Sequence, residues 1–67
     1  MNTFGIAFKK MLIEKNLKQI DVVERLGLSK NAVSQALSGD NISLKQMERF
    51  AEAIGCKVVI SLEPDSE

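Results

Sequence analysis

The feature that most restricts the fold is Gly27, set between two short amphipathic segments at residues 18–26 and 30–37. In the first, Val22, Val23 and Leu26 recur at helical spacing; in the second, Ala32, Val33, Ala36 and Leu37 do so. Glycine is the residue best suited to a left-handed turn. Ser29 stands where the second segment needs an N-cap, its oxygen able to accept from a free helical N–H. The pattern predicts two helices joined by a tight turn.

The flanks supply what such a pair packs against. Phe4, Ala7, Phe8, Met11 and Leu12 form one apolar stripe on a helix predicted over residues 3–15, with Asn16 ending it in the left-handed region. Ser38, Gly39, Asp40 and Asn41 read as a loop. Ser43 to Gln46 has the spacing of a capping box, opening a helix that buries Leu44, Met47, Phe50, Ala51 and Ile54 and stops at Gly55. Residues 56–62 are β-branched and roughly alternating, a strand pattern closed by Pro64. The expected fold class is an all-α core of about four helices with one C-terminal strand. Residues 1–62 make a single domain and residues 63–67 an acidic tail.

The chain has 67 residues, so it holds one core, and at this size apolar burial barely offsets the entropy of ordering the chain. A hydrophobic share of 45% argues against disorder. Staples are lacking. There is one cysteine and no histidine, hence no internal disulfide and no metal-ligand cluster. The same inventory argues against an enzyme: Cys56 has no base to activate it, and no glycine-rich phosphate loop occurs. Cys56 reads as a small hydrophobe at the start of the strand, and no cofactor is expected. Lys9 and Lys10 interrupt what would be a signal peptide, and no run approaches the roughly 18 apolar residues of a membrane span. A lone cysteine fits a reducing compartment, so the expected location is cytoplasmic.

The polar side of residues 30–37 carries the functional signal. At about 100° per residue, with Lys30 at zero, Ser34 falls near 40°, Asn31 near 100° and Gln35 near 140°. The apolar residues occupy the opposite arc. This polar face holds no acid. Glutamine and asparagine can bond an adenine edge at two points, lysine can donate to guanine or phosphate, and serine can serve either. The competing reading is a merely solvated face, which would normally carry glutamate as well. Net charge is zero, unlike most DNA binders, but it is unevenly placed. Residues 1–34 carry six Lys/Arg against three acids, and residues 35–67 carry three against six.

Residues 19–37 resemble the helix-turn-helix of the lambda-repressor/Cro-like (XRE) family of bacterial and phage regulators. Gln19 stands where that family commonly has glutamine, Val22 and Leu26 at buried sites, Gly27 at the turn, and Leu28 after it. Val33 and Ala36 match buried sites of the reading helix. The likeness extends over residues 3–56 through Leu17, the Gly39 loop and Ala53-Ile54-Gly55. Two positions depart from the pattern. Val23 replaces a smaller residue where the motif helices meet, and Lys18 replaces a Thr or Ser N-cap worth about 1 kcal/mol. The resemblance implies double-stranded DNA as partner. Lys30, Asn31, Ser34 and Gln35 would face the major groove, while Lys18, Gln19, Ser29, Ser38, Gly39 and Asn41 would touch phosphates.

The strand expected at residues 56–62 has no partner strand in its own chain, and an open apolar edge invites pairing. A second copy across a two-fold axis would satisfy it, with Val58, Val59, Ile60 and Leu62 at the interface. A fold-back as a local extended tail is the alternative. A homodimer also suits a reader whose recognition helices enter successive major grooves about 34 Å apart. The expected function is thus a dimeric repressor of a palindromic operator. A helix-turn-helix followed by such a strand is also similar to antitoxin subunits of bacterial toxin–antitoxin modules. That likeness implies a protein partner, a toxin, with autorepression secondary. A protein-interaction module built on the same helices is the competing class, and salt-dependent duplex binding separates the two.

Overall fold

The computed structural model describes residues 2–59 together with 62 and 64. Among these residues there are four helices: α1 (Thr3–Glu14), α2 (Gln19–Leu26), α3 (Lys30–Ser38) and α4 (Leu44–Ala53). Each begins and ends for a local reason. Asn2, Ser29 and Ser43 accept from the backbone N–H three residues on, which caps α1, α3 and α4. Of the capping box at Ser43, the half seen is the Ser43 Oγ acceptance from Gln46 N at 3.1 Å. The N-terminus of α2 lacks a side-chain acceptor at Lys18, but Asp21 Oδ2 accepts from Lys18 N at 2.8 Å. Asp21 therefore offsets part of what the missing Thr or Ser was expected to cost.

The C-termini close equally locally. Asn16 adopts φ 58° while Leu17 N donates to Leu12 O at 2.8 Å and Asn16 N to Ile13 O at 3.1 Å. Those two bonds make a Schellman end, with Leu17 folded back onto the core. The same pair of bonds recurs after α4, where Gly55 N reaches Glu52 O and Cys56 N reaches Ala51 O. Gly27, at φ 68°, makes the turn between α2 and α3, a region that costs an L-residue with a Cβ.

The core gathers Phe8 and Leu12 of α1, Val22 of α2, Val33 and Leu37 of α3, and Phe50 with Ile54 at the end of α4. Val22, Val33 and Leu37 are essentially sealed from solvent. Burial on that scale contributes about 1.5–3 kcal/mol per side chain. The rings of Phe4, Phe8 and Phe50 lie 5.5–6.4 Å apart, and both pairs involving Phe50 meet edge to face. Helix α1 packs on α3, and α2 packs on both α3 and α4. Val23, the departure at the motif contact, takes a half-buried place against the core.

Two expectations need correction, and a third is not seen. Leu44 is 47% exposed, because it sits in the first turn of α4 while the rest of that stripe, from Met47 onward, carries the packing. Ala7 is exposed although it lies on the apolar stripe of α1. It lines an open groove of about 200 Å³ between α1 and the chain after α4, together with Phe4, Met11, Cys56, Val58 and Val59. The strand expected at residues 56–62 is absent among the described residues: 56–59 and 62 form no ladder. A strand is a paired structure, and the described residues include no second strand for this segment to pair with. Ile60 lies outside the described residues, as does the tail at 63–67 apart from Pro64.

Candidate nucleic-acid interface

Helix α3 is held on its inner side and uncommitted on its outer side. Ser29, at φ −76° and ψ 160°, accepts from Ala32 N at 3.1 Å and so fixes Lys30 as the first helical residue. Val33 and Leu37 are buried, Ala36 is half-buried against the core, and Ala32 is half-buried. Lys30, Asn31, Ser34 and Gln35 are all exposed on the other side. Among the described residues, no side-chain hydrogen bond engages Lys30, Asn31 or Gln35. Four polar side chains with donors and acceptors thus project from one rigid rod, with no acid among them.

The six expected phosphate residues lie at the ends of α2 and α3, in differing states. Lys18 is exposed at the N-cap of α2, and Gln19 is half-buried in its first turn. Unpaired N–H groups at a helix start favour an anion, but the Asp21 carboxylate shares that turn and opposes one. Ser29 uses its oxygen as an acceptor, which leaves its hydroxyl proton to donate. Ser38 is different: its Oγ donates to Ser34 O at 2.6 Å, so a phosphate contact needs that hydroxyl to rotate. Gly39 N donates to Gln35 O at 2.8 Å and its carbonyl accepts from Asn2, so both backbone groups are occupied. Asn41 is exposed in the loop that follows.

Three residues that the sequence reading did not single out shape this surface. Asp21 is one. Arg25 is the second: its guanidinium donates to Ala53 O at 2.9 Å, capping the C-terminus of α4. One cation of the basic half is therefore engaged in the fold. The third is Asn2, whose side chain bonds Gly5 N, Ala36 O and Gly39 O. An asparagine just ahead of a helix is a readable N-cap signal, but partners 34 and 37 residues away are not.

A family model for a Cro/C1-type HTH DNA-binding domain matches residues 7–59. That span covers α2, the Gly27 turn, α3, α4 and most of α1. Comparison with curated proteins and with solved structures gave no match.

Proposed function

Since the chain belongs to the Cro/C1-type helix-turn-helix DNA-binding domain family, we propose that it is a dimeric repressor reading a palindromic operator. The observation that carries this reading is the acid-free outer face of α3, where Lys30, Asn31, Ser34 and Gln35 stand exposed. A solvated helix face needs no such selection, whereas base edges call for these donors and acceptors. Phosphate contacts from Lys18, Gln19, Ser29 and Asn41 would set the register, and the α3 side chains would specify sequence. Ser38 and Gly39 would contribute backbone approach, their hydrogen-bonding groups being engaged within the chain.

Dimerisation is the second part of the proposal. Val59 is 77% exposed and lines a mostly apolar groove with Phe4, Cys56 and Val58, and Leu62 is 95% exposed. Apolar side chains so placed favour a covering partner. A second copy, paired through Val58, Val59, Ile60 and Leu62, would supply it and double the DNA contacts. The same apolar surface supports the antitoxin reading, in which a toxin occupies it and autorepression is secondary. Selection from a random duplex pool tests the proposal. Enrichment of an inverted repeat, with binding that weakens steeply as salt rises, is expected. Enrichment of nothing at low salt would contradict it, and a half-site bound by a monomer would remove the dimer.

A further inference from the structure

We infer that Asn2 is a positioning residue for the reading helix, setting how α3 is held relative to α1 and where the Gly39 loop departs. The inference rests on α3 being the element that reads DNA. Asn2 Oδ1 accepts from Gly5 N at 2.6 Å, the N-terminal turn of α1. Its Nδ2 donates to Ala36 O at 3.0 Å and to Gly39 O at 2.9 Å, at the C-terminal end of α3. An amide has two N–H donors on one atom and an acceptor on the other. Both donors and the acceptor are used here, and the opposite amide orientation would set nitrogen against an N–H and oxygen against two carbonyls.

The junction tolerates no looser arrangement. A Cβ built on Gly5 would run into the Leu37 carbonyl oxygen, so the first turn of α1 meets α3 backbone to backbone. Leu37 itself is sealed in the core. The positive end of α1 thereby faces the negative end of α3, and Asn2 bridges the carbonyls that a helix end leaves free. Ala36 directly follows Gln35, and Gln35 O takes the Gly39 N–H. The residues Asn2 holds therefore interleave with the last base-facing side chain and the first loop residue. Base contacts are directional and need their side chains held to a fraction of an ångström, whereas phosphate attraction is forgiving. Releasing the clamp should cost discrimination more than general DNA affinity.

The variants Asn2→Ser and Asn2→Asp test this, since both keep an oxygen to cap α1 while removing the amide that donates to both carbonyls of α3; serine retains one shorter O–H donor and aspartate none. Serine leaves charge unchanged; aspartate sets a carboxylate against the two carbonyls. Ile54→Val, a buried change at the C-cap of α4 that touches no hydrogen bond of Asn2, serves as a control for stability loss alone. Folding is followed by circular dichroism and binding is measured on the duplex the wild type selects and on a shuffled one. For Asn2→Ser the expected result is about tenfold weaker binding to the selected duplex, the scale of one base contact, with less than twofold change on the shuffled one. Amide exchange should quicken at Gly39 and not at Leu17, and Ile54→Val should leave the specificity ratio alone. A folded Asn2→Ser that binds both duplexes as the wild type does overturns the inference. So does a loss of specificity that Ile54→Val reproduces. A wild type that selects no duplex overturns the DNA-reading proposal, and the role of Asn2 with it.

Discussion

Helix α3 and the segment after Gly55 present opposite problems to solvent. In α3 the apolar side is sealed by α1 and α2, and the exposed side is polar throughout. After Gly55 apolar residues stand uncovered among the described residues: Val59 and Leu62 are exposed, and the groove that Val59 lines is open. The difference teaches where to look for each kind of partner. A finished helix with idle donors and acceptors suits a polar ligand, and on the proposed dimer reading the open apolar surface is where a second chain would pair.

Phe50→Ala attacks the finished side of this contrast and should have the largest effect. Phe50 is buried and meets both Phe4 and Phe8, so its loss should cost about 3–5 kcal/mol. Thermal or urea unfolding measures it, and a loss below about 1 kcal/mol would mean the three-ring cluster is not where the fold is held. Gly5→Ala comes next. Forcing a methyl against the Leu37 carbonyl should cost about 1–3 kcal/mol even though alanine is the better helix former. A stabilised variant in the same unfolding assay would show that α1 and α3 do not touch as described.

The unfinished side is probed by Val59→Asp. Since Val59 is 77% exposed, monomer stability should move by no more than about 0.5 kcal/mol, while self-association measured by sedimentation should fall. A variant as dimeric as the wild type would move the interface elsewhere. Gln19→Ala should be the mildest of the set. It should weaken all duplexes alike and leave the salt slope unchanged, since an uncharged side chain displaces no counterion, without altering the preferred sequence. A changed preference would make Gln19 a base reader.

Most of the helical frame is legible in the sequence, because its determinants are local. Asn16 and Gly27 take the left-handed conformations that residue type favours, Ser29 and Ser43 cap the helices that follow them, and the polar arc of α3 follows from period alone. Helix ends shift only by a residue or so: α1 stops at Glu14, α2 starts at Gln19 and α3 continues to Ser38. What escapes local reading is whatever depends on a distant neighbour. Ala7 has the right phase on α1 but faces a groove left open among the described residues, and Leu44 has the right phase on α4 but lies ahead of its packing. The partners of Asn2 and Arg25 lie 34, 37 and 28 residues away, beyond any periodicity. Within the candidate site, residue type identified which groups can donate, but not that Gly39 and Ser38 already do so within the chain.

The outer face of α3 is the central claim, and Gln35→Ala tests it most directly. Gln35 is exposed and its side chain makes no hydrogen bond among the described residues, so the variant should fold as the wild type does. Selection from one random duplex pool with both proteins should then give the same site except at one base pair per half-site. There preference should relax by about 1–3 kcal/mol. An unchanged preference at every position would contradict the account, because the face turned toward the groove would then not be the one that carries Gln35.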